Sequence, residues 1–99
     1  MLLRLLVSTI SNSNGGSILG TSTINVTGQG FSVTGGNTIE LVSADDTYWL
    51  FEGSGLIFTD NFYVDITAEF GNIAAGQYSV YVRNGYDGNP SAAFSLTVN

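Results

Sequence analysis

The chain has 99 residues, no cysteine and no histidine, and eight Asp and Glu against two arginines, Arg4 and Arg83, for a formal charge of −6. That length makes one domain with one core, and the missing cysteine excludes disulfides, thiolate metal sites and thiol chemistry. Two arginines without lysine cannot neutralise a run of phosphates, and an anionic membrane would repel this surface, so neither nucleic acid nor membrane is expected as a partner.

Only 10% of the residues are charged, against about 25% in ordinary soluble domains. Ser, Thr, Asn and Gly fill the polar positions instead, a composition common in extracellular and virion β-proteins. The opening run Met1-Leu2-Leu3-Arg4-Leu5-Leu6-Val7 is no secretory signal: Arg4 interrupts it and no small-x-small cleavage site follows. It is also far short of the ~20 residues of a membrane span. Residues 1–10 are therefore expected as an N-terminal strand or docking arm, with the strand over residues 3–10. A sandwich domain follows over residues 11–99.

Turn-forming residues fill the linker at 11–16. Residues 23–27 alternate, with Ile24 and Val26 inward. Gly28 and Gly30 are expected to bend the chain so that Phe31 returns to the core. A strand over 37–44 puts Ile39 and Leu41 inside, and Asp45-Asp46 marks its turn. Residues 48–52 and 56–59 read as a hairpin around Gly53-Ser54-Gly55. The clearest period of two runs over 62–70, with Phe62, Val64, Ile66, Ala68 and Phe70 inward and Tyr63, Asp65, Thr67 and Glu69 outward. Tyr78, Val80 and Val82 repeat it, with Ser79, Tyr81 and Arg83 outside. After a turn over 84–90, Phe94, Leu96 and Val98 close the core.

About seven short strands, with turn signals about every eight to twelve residues, predict an all-β fold, an immunoglobulin-like antiparallel β-sandwich. The Cys…Trp…Cys signature of antibody domains is absent. Thr23-Ile24-Asn25-Val26-Thr27-Gly28-Gln29-Gly30-Phe31 resembles the hydrophobic-x-hydrophobic-x-G-x-G-F strand of the IPT/TIG family of immunoglobulin-like domains. Gly76-Gln77-Tyr78-Ser79-Val80-Tyr81-Val82-Arg83-Asn84-Gly85 resembles that family's G-x-hydrophobic-x-V-x-V-x-N-G strand, and Phe94-Ser95-Leu96-Thr97-Val98 its closing strand. The resemblance runs from about Gly16 onward. Two prolines usual in the family are missing, one from 11–16 and one from 71–75. The resemblance implies an IPT/TIG-type sandwich that serves for scaffolding and contact.

Catalysis has little to draw on. Without His, Cys or Lys there is no ordinary triad, thiolate nucleophile or Schiff base. A carboxylate pair would be the one remaining chemistry, and these carboxylates are spread over turns and solvent faces. No enzymatic activity and no cofactor are expected. The oxygen clusters at Asp45-Asp46 and Asn84…Asn89 lack EF-hand spacing and read as turn chemistry. Gly28-Gln29-Gly30 opens like a dinucleotide fingerprint, but no helix follows.

Tyr63 and Tyr81 fall on outward positions of strands expected to be neighbours, and Tyr48-Trp49 and Tyr86 fall at turns. Cross-strand pairing accounts for such tyrosines, and so does a contact face or a sugar-stacking platform. The residues set aside for partner binding are Leu2, Leu3, Leu5, Leu6, Val7, Tyr63, Tyr81 and Tyr86. The expected function is a non-catalytic structural or interaction module, free-standing from Met1 to its last strand. It would be a capsid decoration, cement or fibre component at the surface of a phage virion. Its partner would be a capsid or other virion protein, or another copy of itself. The alternative is an extracellular adhesion or carbohydrate-binding module of a bacterial cell surface.

Overall fold

Alternation decides the elements: where every second side chain is apolar, the chain extends and dries one face. The computed structural model describes residues 5–32, 36–58, 64–84 and 89–99. It contains β1 (Leu6–Asn12), β2 (Thr23–Gln29), β3 (Thr38–Ser43), β4 (Tyr48–Glu52), β5 (Ser54–Phe58), β6 (Val64–Glu69), β7 (Gly76–Arg83) and β8 (Phe94–Val98). Among the described residues no helix is long and apolar enough to cross a membrane. The strands form two four-stranded antiparallel sheets, sheet I in the order β1-β2-β6-β5 and sheet II in the order β4-β3-β7-β8. The fold is an all-β sandwich.

The core lies between the sheets. In sheet I, Ile24 pairs with Ala68 and Val26 with Ile66. In sheet II, Ile39 pairs with Val82 and Leu41 with Val80. All eight side chains are buried, and each branched one contributes about 1.5–3 kcal/mol over its exposed state. Leu96 and Val98 of β8 join them. Phe31, Phe70, Ile73 and Ile18, from the connections, complete the same cluster. From β4, Trp49 and Phe51 pack against it, with the Phe51 ring tilted on Phe70 at 5.1 Å.

Several expectations need correction. The first strand begins at Leu6 and runs through Ser11 and Asn12, two residues expected in the linker. The rest of that connection is tied down. Asn12 Nδ2 donates to Ser17 O at 2.9 Å, and the Asn99 N–H donates to Ile18 O at 2.8 Å. Gly28 does not bend the chain: it sits inside β2, opposite Val7 and Val64. A Cβ there would run into the Leu6 carbonyl oxygen and the Phe31 ring, so its value is close approach. The turn falls at Gly30, whose φ of 81° suits glycine.

The hairpin around Gly53 does not exist. β4 pairs with β3 in sheet II, whereas β5 pairs with β6 in sheet I. The chain passes from one sheet to the other at Gly53, whose N–H donates to Asn37 O at 2.9 Å. Tyr48 and Trp49 are strand residues rather than turn residues. Phe62 lies outside the described residues, and Val64 is described as backbone. Phe94 is half-buried at the start of β8 rather than fully inside.

That difference sets a stability prediction. Ile66, fully enclosed, should cost about 2–5 kcal/mol on truncation to Ala, while Phe94→Ala should fall below the 3–5 kcal/mol of a fully buried Phe. Urea unfolding of the two variants measures both losses.

Candidate functional site

The outward face of sheet II carries the most exposed apolar surface at described strand positions. Register places Leu50, Glu40 and Tyr81 in one cross-strand row. Tyr48, Val42 and Ser79 form the next. Tyr48 is 52% exposed and Leu50 54%. These two residues alternate with the inward Trp49 and Phe51, so one edge strand closes the core and displays an apolar row outside.

Beneath that row lies a charge. Glu40 is buried and accepts a hydrogen bond from Arg83 Nε at 2.5 Å, with side-chain exposures of 11% for Glu40 and 42% for Arg83. Neighbours on β4 and β7 take Glu40 out of water, and the guanidinium compensates it. Partial desolvation raises the Tyr48 phenol above its ordinary 10.0; the Glu40 charge and a hydrogen bond to it act the same way.

At one end of the sandwich this face runs into a hollow of about 410 Å³ between the β3–β4 turn and the β6–β7 connection. Trp49 and Tyr78 meet in it edge to face, with ring centroids 5.5 Å apart and planes at 76°. The Tyr78 hydroxyl donates to Ala74 O at 2.5 Å, which fastens the connection to β7. The opposite wall is the turn. Asp45 Oδ1 accepts from the Ser43 hydroxyl, from the Thr47 hydroxyl at 2.8 Å and from the Thr47 N–H at 3.3 Å. These bonds, Ser43's first, hold the Asp45 carboxyl below its ordinary 3.8. Asp46 takes the left-handed position, with φ 66°. Turn chemistry thus accounts for Asp45-Asp46, as the sequence pattern implies.

Of the residues set aside from sequence, Leu2, Leu3, Tyr63 and Tyr86 lie outside the described residues. Leu5 packs half-buried on the core, Leu6 is exposed and Val7 is a core residue. Residues 6–10 belong to β1, which is bonded along its length to β2. Tyr81 is on the outward face of β7, half-buried. The strands expected to be neighbours are not: β6, the described part of the 62–70 run, is in sheet I and β7 is in sheet II. Glu40, Leu50 and the hollow were missed, and Tyr48, read as a turn residue of a contact face, lies on β4 instead. The available signal was the β4 alternation, which puts Tyr48 and Leu50 opposite Trp49 and Phe51.

No protein-family model matches the chain, and no curated protein matches it.

Two predictions follow from this chemistry. Arg83→Ala should cost about 1–2 kcal/mol, between an exposed pair and a fully buried one, and adding Glu40→Leu should recover part of the loss in urea melts. Asp45, with its folded pKa lowered, adds stability that is present above its unfolded value and disappears as pH falls through the folded one. The stability gap between the wild-type chain and Asp45→Asn should therefore narrow as pH drops below ~4, in melts taken across that range.

Proposed function

We propose that the chain is a non-catalytic immunoglobulin-like contact module. It docks through the outward face of sheet II on a protein of a larger particle, as a decoration, cement or fibre component of a phage virion. The observation that carries the contact role is the exposed pair Tyr48 and Leu50 on a strand whose other face is core. Tyrosine and large apolar side chains are the groups that hold protein interfaces together.

The immunoglobulin-like reading is supported by strand order. Taken in chain order as A, B, C, C′, D, E, F and G, the strands fall into A-B-E-D and C′-C-F-G sheets. Tyr78, early in β7 with its hydroxyl bonded four residues back to Ala74 O, has the form of the tyrosine corner that such domains carry at the E–F junction. The low share of charged residues supports the virion setting.

Antibodies against the chain should label intact virions purified from the host that carries its gene, and immunogold microscopy reads this directly. Leu50→Thr removes the exposed apolar group without setting a like charge opposite Glu40; it should leave the melting midpoint nearly unchanged and lower occupancy on the particle about tenfold, a loss of ~1.4 kcal/mol. Label on the cell envelope with none on particles would replace this reading with the surface-adhesion one.

A further inference from the structure

The hollow at the β3–β4 end has a chemistry of its own, distinct from the apolar face beside it. Its volume of about 410 Å³ accommodates a side-chain head group. Its floor is aromatic, with Trp49 half-buried over the buried Tyr78. Its rim holds the fully exposed Asp45. Four side chains of the wall already spend a donor inside the protein. The hydroxyls of Ser43 and Thr47 donate to Asp45 Oδ1, the Tyr78 hydroxyl donates to Ala74 O, and Gln77 Nε2 donates to Thr97 Oγ1 at 2.8 Å.

A sugar presents hydroxyls that need donors and acceptors alike. This wall keeps mainly acceptor oxygen, a negative charge and a ring surface. The complementary ligand has only donors and a positive charge. Among protein groups, lysine and arginine fit that description: neither side chain has an acceptor, and both are attracted to aromatic faces.

We propose that this hollow is a binding site for the guanidinium or ammonium head group of an arginine or lysine side chain presented by a protein partner. Asp45 supplies the ion pair and Trp49 the ring surface. The net charge of −6 favours a cation at long range as well. That the cation comes from a protein rests on the contact-module reading; the site itself does not.

Trp49 is the one tryptophan of the chain, so its fluorescence reports on the hollow. The probes are Nα-acetyl-arginine amide, Nα-acetyl-lysine amide, the uncharged Nα-acetyl-citrulline amide and a methyl glycoside, titrated at constant ionic strength. The arginine and lysine amides should give saturable changes in fluorescence and in backbone amide shifts over residues 43–49 and 74–78; citrulline and the glycoside should not. Asp45→Asn keeps Oδ1 as acceptor for Ser43 and Thr47 while removing the charge, and should weaken the cations at least about fivefold. Citrulline binding as well as arginine, an unchanged affinity in Asp45→Asn, no saturable response, or a response to the glycoside alone would each overturn the proposal. Leu50→Thr, which changes no charge, separates the two readings: it should keep probe binding while losing the particle.

Discussion

Asn37 sits in the core, 1% exposed, where two of the three passages between the sheets meet. Its Oδ1 accepts from the Ser32 N–H at 2.8 Å and its Nδ2 donates to the Ser32 carbonyl at 3.0 Å. Its own carbonyl accepts from the Gly53 N–H. Ser32 follows the turn by which the chain leaves sheet I after β2, and Gly53 is where it leaves sheet II after β4. At such crossings the backbone has no ladder partner, yet buried N–H and C=O groups must be satisfied. A carboxamide offers one donor side and one acceptor side, so a single side chain satisfies both backbone groups of Ser32. An ionised aspartate has no donor to give, and an aliphatic residue has neither group. This contact ties the exit from β2 to the exit from β4, while the ladder with β3 holds β4 at the edge of sheet II.

Once β4 is held there, its alternation does two jobs. Trp49 and Phe51 close the core, while Tyr48 and Leu50 face outward, where folding gains little from them. Covering them on a partner releases roughly 25 cal/mol per Å² of apolar surface. The Glu40–Arg83 pair stiffens the same face from below.

Much of the fold was legible because half-buried strands write their orientation into a period of two. Ile24 and Val26, Ile39 and Leu41, Val80 and Val82, and Leu96 and Val98 all point as the alternation says. The β4–β5 junction was not legible, because Gly-Ser-Gly serves equally for a chain that reverses within one sheet and one that crosses to another. Periodicity registers which face a residue takes and says nothing of which strand lies next to it. Hence the expectation that the 62–70 run and β7 are neighbours failed for β6, even though Tyr81 does face outward. Glu40 was hidden for the same reason. An outward acid in a strand looks solvated until Leu50 and Tyr81 are known to flank it. The hollow depends on Ser43–Thr47 meeting Ala74–Gln77, a contact between segments far apart in the chain.

The charge distribution also bears on which partner this surface suits. One of the two arginines, Arg83, is paired with Glu40, so it adds little positive field at the displayed face. Asp45 and Asp46 stand before β4 and Glu52 ends it, which brackets Tyr48 and Leu50 with carboxylates at both ends. Two copies meeting antiparallel across β4 would bring Glu52 of one against Asp45 and Asp46 of the other. Unscreened like charges at ~4 Å repel by about 1 kcal/mol in water and about 4 kcal/mol where the surroundings are drier, and drying is what interface formation does. The same carboxylates attract a partner whose apolar patch is rimmed by lysine or arginine. Under the proposed docking role, the bracket opposes a second copy at this face, with the apolar row for the hold and the acids for selectivity.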